Sequence, residues 1–456
     1  MQARAHRHVR LGLAGLVVAG LALAGCSPAT PTGTTAPTTT QPPATSTAAP
    51  TTTPPSTQAE EITLRFLWWG NDTRNELTQK VIDLYKTKRP NVTIETETSD
   101  FATYWQKLST QIAGGSTPDI IQMDEKYLAE YASQGSLLDL ESISLDTTDW
   151  AGGTVDAGRF DGTLYAGTWG VNAPVFLLNK SVFDKAGIAV PDDKTWTWDS
   201  FAQLAVELQS TGAGEYFGVE NLIGIDGATK IWIRQEGDQQ FTADGIGFDA
   251  ASVQPWFEYW KKLLDDGGTA PATATIENQT TPVDQALLGT NRVGIGFQWS
   301  NQVNAIANAT GQEILLMRPP TQTGKAADGH LWYKSSMYLS AGATTKYPEE
   351  VKAFIEFLIN DPEAGAILGT ERGVPTNLKV REAIVPNLDA GNAKVVEFMD
   401  AISGELGTGG TVPLPGGGQS ETIQRRATDA VLLGTLDPAA AASQFVAELK
   451  AEMKLG

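Results

Sequence analysis

Cysteine is nearly missing from this chain: Cys26 stands alone among 456 residues, so no intramolecular disulfide is available and stability must come from core burial. Histidine is almost as scarce. His6 and His8 fall in the N-terminal leader, and His330 alone cannot build an imidazole-based metal site. Basic residues are few: 33 Lys and Arg face 53 Asp and Glu, a formal charge of −20, and losing Arg4, Arg7 and Arg10 with the leader makes it −23 (−20 − 3). Such a balance repels phosphate backbones and anionic lipid headgroups, so nucleic acid is not an expected partner. It also disfavours an anionic small ligand unless a local basic pocket exists. Catalytic signatures are missing too. There is no Gly-x-Ser-x-Gly elbow and no His-Glu-x-x-His, and the glycines at 407–410 lack the Lys-Ser/Thr of a phosphate-binding loop. No cofactor is implied, and no metal.

What is present begins with a leader. Three arginines precede an uncharged apolar run at 11–23, whose 13 residues are too few for the ~20 that span a bilayer as a helix. The charged-then-apolar layout is that of a secretory signal, 1–25. It ends in Leu23-Ala24-Gly25-Cys26, which resembles the lipobox of bacterial lipoproteins, whose cysteine becomes the lipidated first residue. Residues 26–59 carry no charge and are dominated by Thr and Pro, with too little apolar surface to offset the entropy of ordering. Fully extended, this linker reaches about 100 Å. The expectation is a protein held by lipid on the outer face of the cytoplasmic membrane.

The body, 60–456, has roughly 400 residues. That exceeds the ~250–300 at which a single core stops growing, so two lobes are expected. Alternating residues at 62–67 read as a strand, and Leu77, Val81, Ile82 and Tyr85 mark a helix face that ends at Pro90. A strand at Val92 and Ile94, a helix at 102–113, a strand at 118–123 and a helix at 127–133 follow. Strand–helix repetition with short links predicts an α/β fold of mostly parallel sheet flanked by helices, with ligand beyond the carboxyl ends of the strands.

Those ends carry Trp68-Trp69-Gly70-Asn71-Asp72, then Asp100, Tyr104 and Trp105, then Asp124, Glu125 and Tyr127. Aromatic planes beside carboxylates and amides suit a neutral carbohydrate: the C–H face of a pyranose packs on an indole while polar groups fix its hydroxyls. Trp256 and Trp260, one helical turn apart, read as core instead, and Trp196 and Trp198 as structural, beside a helix cap at Asp199 or a neighbouring Thr. Paired carboxylates, Asp124 with Glu125 or Asp72 with Asp124, are also what a glycosidase needs. Adjacent residues on an extended segment point apart, and sugar hydrogen bonding accounts for the second pair without chemistry.

An ordered set of pieces spans nearly the whole body. Trp68-Trp-Gly-Asn-Asp72 and Tyr104-Trp-Gln-Lys-Leu108 come first, then Ala113-Gly-Gly-Ser-Thr-Pro-Asp-Ile-Ile121 and Tyr131-Ala-Ser-Gln-Gly135. Asp161-Gly-Thr-Leu-Tyr-Ala166, Phe183-Asp-Lys-Ala-Gly187, Gly294 to Asn301 and Leu339-Ser-Ala-Gly342 follow. Together they resemble the family 1 extracellular solute-binding proteins of ABC importers, the group containing the maltose-binding proteins. The resemblance implies a type II periplasmic-binding-protein-like fold with a ligand cleft between the lobes. The first lobe is expected at 60–173 plus 338–393 and the second at 174–337 plus 394–456. By the same resemblance, Trp69, Asn71, Asp72, Asp124, Asn172 and Trp299 are ligand groups; Trp169 lies at the crossing, and Trp232, Trp332 and Arg372 are further candidates. With Tyr104 and Tyr127 these complete the expected site. The implied function is capture of a mono- or oligosaccharide by a monomer, without catalysis, and its delivery to permease subunits. Alternatives are a polyamine or glycerol-phosphodiester receptor of the same fold, or a secreted glycoside hydrolase. Residues 413–418, Pro-Leu-Pro-Gly-Gly-Gly, replace a late aromatic of several relatives and leave the ligand's length open.

Overall fold

Both faces of the first strand are apolar. In Ile62–Trp69, Leu64, Phe66 and Trp68 enter one core while Leu67 and Trp69 enter another, as befits a strand covered by helices on both sides. The computed structural model describes residues 60–455 except Asn71 and Thr408. Cys26, the leader and the linker therefore lie outside the described residues. Ile62–Trp69 runs parallel to Val92–Ser99 and to Ile120–Met123. The intervening helix Asp72–Lys88 buries Thr78, Val81, Ile82 and Tyr85, an i, i+3, i+4, i+7 stripe. Phe101–Ala113 starts at Asp100, whose carboxylate accepts the Thr103 N–H, and Glu125–Ser133 starts at Asp124, which accepts the Lys126 N–H.

Three later strands complete the first sheet. Its order is Val374–Pro375, Gly167–Asn172, Lys334–Ala341, Ile120–Met123, Ile62–Trp69, Val92–Ser99, and the first four are mutually antiparallel. The helix-linked strands are parallel, as expected, but a chain that returns from elsewhere need not enter in the same direction, and the sheet is mixed. The second sheet, ordered Ile314–Met317, Pro174–Asn179, Val293–Trp299, Phe217–Val219, is mixed for the same reason.

One extended stretch passes from sheet to sheet. Gly167–Asn172 belongs to the first and Pro174–Asn179 to the second, so the crossing is Ala173. Ser300 holds it from the second lobe: the Ala173 N–H donates to Ser300 Oγ at 3.1 Å, and the Ser300 N–H donates to the Ala173 carbonyl at 2.9 Å. The return strand pairs Lys334 with Asn172, four residues before Tyr338. Helix Ala390–Ile402 puts Val395, Val396, Phe398, Met399 and Ile402 into the second core, so the last crossing precedes Ala390.

The second core also encloses Trp256 and Trp260 of helix Ala250–Asp265, wholly buried. Thr197 and Ser200 form the capping box ahead of helix Trp198–Thr211. Among the described residues no helix is long and apolar enough to cross a membrane.

Candidate ligand-binding site

The strand Val293–Trp299 ends beside the Ala173 crossing, where Trp299 pairs with Pro174. That placement brings its indole to the boundary between the lobes. The first turn of helix Asp226–Gln235 packs on this ring, and a side chain at Gly227 would sit only 3.1 Å from Phe297 and 3.2 Å from Trp299. Trp332, just before the return strand, meets Trp299 edge to face, with centroids 6.2 Å apart at 78°. Lys230 Nζ lies 4.7 Å from the Trp332 centroid and the Arg234 guanidinium 5.1 Å from it, both within cation–π range.

Around these rings is a cavity of about 80 Å³. The first lobe contributes Glu125, Lys126 and Lys334; the second contributes Asp226, Lys230 and Glu421 among its polar groups. Lys334 pairs with Glu125 at 3.7 Å, and Lys126 reaches Glu421 across the boundary at 4.0 Å. Asp226 Oδ1 accepts from Gln240 Nε2 at 2.5 Å and from Ser420 Oγ at 3.0 Å. Burial, then Glu421, raise the Asp226 pKa above the ordinary carboxylate range. Burial also lowers the Lys230 pKa, against the pull of Glu125 and Asp226. For Lys334 burial acts downward as well, but Glu125 and Asp124 outweigh it and the net shift is upward.

A glycine-rich strap, residues 406–418 apart from Thr408, runs through the gap. Gly407 N–H donates to the Leu331 carbonyl at 2.8 Å. A side chain at Gly410 would lie 2.9 Å from Lys230 Nζ and 3.7 Å from Glu125 Oε1. Val412 is buried among first-lobe aromatics, in the cluster that holds Trp69, Tyr104 and Trp105. Pro413, Gly417 and Gly418 close the cavity. Larger spaces of about 620 and 670 Å³ flank the strap, both touching Gly409.

Of the expected ligand groups, the structure brings Trp299 and Trp332 to this cavity. The others are elsewhere. Tyr104 is fully buried and its hydroxyl donates to backbone, lying 2.5 Å from the Gln122 carbonyl, so it is a core residue. Trp69 is 8% exposed and ringed by Phe101, Tyr104 and Trp105, so its indole packs in the first-lobe core. Tyr127 stacks on Trp105 at 3.9 Å and Asp124 serves as a helix cap. Asp72 is exposed in the first turn of its helix, and Asn71 lies outside the described residues.

Trp169 faces the opposite core, donating to the Leu358 carbonyl at 3.1 Å, with Arg372 stacked on its ring at 4.2 Å. Arg372 in turn donates to Gln122 and Thr78, and burial followed by Arg74 lowers its pKa to about 9. Both are structural. Trp232 is interior as well, 5.5 Å from both Trp198 and Trp256. Asn172 is buried at the crossing, and its Oδ1 accepts no hydrogen bond among the described residues.

Reading the sequence missed Asp226, Lys230, Lys334 and Glu421. Lys230 did carry a signal: it sits in Ala228-Thr-Lys-Ile-Trp-Ile233, a stretch too apolar for a solvated lysine. Among the described residues no group of three or more His, Cys, Asp and Glu side chains is placed to hold a metal ion.

Comparison with known proteins fits this architecture. The diacetylchitobiose-binding protein DasA of Streptomyces coelicolor is 24% identical over 321 residues, 68% of this chain and 70% of its own. An uncharacterized lipoprotein of Streptomyces antibioticus is 27% identical over 310 residues, 65% of this chain and 67% of its own. A periplasmic oligogalacturonide-binding protein from Yersinia enterocolitica shares the fold, with a TM-score of 0.73 at 20% identity over 86% of this chain and 100% of that one. Residues 80–393 match the bacterial extracellular solute-binding proteins, and this chain belongs to that family.

Proposed function

We propose that this protein is the extracellular receptor of an ABC importer, capturing a mono- or oligosaccharide between its lobes and delivering it to permease subunits. As a solute-binding protein it is not an enzyme. The observation that carries the sugar reading is the wall around Trp299 and Trp332. Two indoles stand edge to face amid three carboxylates and three ammonium groups drawn from both lobes. Such a wall offers a hydroxylated ring an apolar plane together with donors and acceptors. DasA is named for binding diacetylchitobiose and the Yersinia protein for binding oligogalacturonide; both are saccharides, which supports the same class of ligand here.

Capture needs no covalent step. A ligand touching Glu125 and Lys334 on one side and Trp299 and Asp226 on the other binds the closed lobes better than parted ones, and so shifts the population toward closure. Micromolar affinity, about −8 kcal/mol, suits capture followed by release. Thermal shift against neutral sugars, uronates, spermidine and glycerophosphodiesters tests the reading. A sugar should raise the melting temperature, and Trp299→Ala should remove that rise. A response to spermidine or a phosphodiester alone would overturn it.

Tethering through a lipid on Cys26 is the second part of the proposal. Its support is Leu23-Ala24-Gly25-Cys26 and the description of the Streptomyces antibioticus relative as a lipoprotein. Cys26→Ser should leave the protein unlabelled by radioactive palmitate and absent from washed membranes. Undiminished labelling would rule the anchor out.

A further inference from the structure

Among the described residues, one ammonium lining the cavity has no hydrogen-bond acceptor in the protein. Lys230 is 8% exposed and its Nζ makes no hydrogen bond and no ion pair within 4 Å among the described residues. The Trp332 ring lies 4.7 Å from it, and Glu125 and Asp226 attract it from beyond ion-pair distance. The other two ammonium groups are committed, Lys334 to Glu125 and Lys126 to Glu421. A lysine 8% exposed, whose ammonium opens on the cavity and finds no acceptor in the protein, is costly to keep for stability alone.

The geometry points to Lys230 as the principal ligand-reading donor of this site, one that hydrogen-bonds a ring oxygen or hydroxyl of an uncharged sugar. This assignment rests on the saccharide reading above and narrows it to neutral sugars. Two observations favour a neutral ligand over an acidic one. Glu125, Asp226 and Glu421 balance Lys126, Lys230 and Lys334 one for one. A ligand carboxylate brought to Lys230 would add negative charge beside the two carboxylates that already act on that ammonium, Glu125 and Asp226. A hydroxyl avoids that penalty, and it can accept from Lys230 while donating to Asp226, the carboxylate one helical turn away. Stacking falls to Trp299, which is only partly buried, because Trp332 is 2% exposed and carries Lys230 and Arg234 at 4.7 and 5.1 Å, closer than Lys334 at 5.7 Å from Trp299.

The experiment is calorimetric titration of the full chain and of Lys230→Met. The titrants are glucose, galactose, maltose, lactose, cellobiose and diacetylchitobiose, set against glucuronate and galacturonate. Methionine keeps the apolar stem and removes only the charge. For whichever neutral sugar binds the natural chain, Lys230→Met should weaken binding at least tenfold. The melting temperature of the ligand-free variant should hold or rise, since no hydrogen bond within the protein is lost with the ammonium. Uronates should bind the natural chain at least tenfold more weakly than their neutral counterparts. Affinity unchanged in Lys230→Met, or a uronate binding as well as its neutral counterpart, overturns the assignment while leaving a saccharide receptor standing. Failure of every sugar on the natural chain overturns the saccharide reading and this one together.

Discussion

Glu220 shows how far a single buried group can colour the behaviour of the whole protein. It lies beneath the strand that ends in Trp299, where its carboxylate accepts from Asn278 Nδ2 at 3.2 Å and from the Phe297 N–H at 3.3 Å. Burial dominates those bonds and raises its pKa from 4.5 to about 7. The folded state therefore holds this proton more tightly than the unfolded chain. Its contribution is intact below pH 4.5 and is lost as pH rises through about 7. A shift of that size is worth about 3 kcal/mol. Urea midpoints at pH 5 and pH 8 should differ in the natural chain and converge in Glu220→Gln, whatever the absolute stability of the variant; an unchanged slope would refute the assignment. Residues of this kind are hard to read from sequence. Glu220 and Lys230 are ordinary charged letters until the fold closes over them, whereas Trp256 and Trp260 declare their burial by helical spacing alone. Trp69 misleads for a related reason: a strand end predicts the mouth of a site, but Phe101 and Trp105 of the following helix close over the ring.

The strap at 406–418 behaves as a unit because glycine lets it thread between side chains that leave no room for a Cβ. At Gly417 that side chain would sit 2.6 Å from Pro413 Cβ and 3.2 Å from the Phe241 ring, neighbours that cannot swing aside, whereas at Gly404 there is nothing within 4 Å. Gly417→Val should therefore displace the end of the strap, costing about 1–3 kcal/mol. Gly404→Ala should stay within about 1 kcal/mol of the natural chain. Urea denaturation compares the two, and equal midpoints would mean that the strap bears no load. The other elements were more legible. Capping residues, the alternation at 62–69 and the glycines after helices mark the first three strand–helix units plainly. The strap was visible only as a run of glycine and proline, since composition says that a segment is irregular and not where it lies.

At the scale of the whole molecule, two lobes follow from length and from the strand–helix order, and the family resemblance extends across nearly all of the body. Which strands share a sheet does not follow from local pattern, because the pairing of Lys334–Ala341 with Gly167–Asn172 and Ile120–Met123 joins distant parts of the chain. That pairing has a consequence for biosynthesis. Ile120–Met123 is made early, yet the neighbour that protects its open edge emerges from the ribosome only after most of the second lobe, and the edge strand Val374–Pro375 later still. A nascent chain of this design cannot complete its first sheet until the strands at 334–341 and 374–375 have emerged. Closing the first sheet therefore waits on most of the length of the body, in whatever compartment the protein folds.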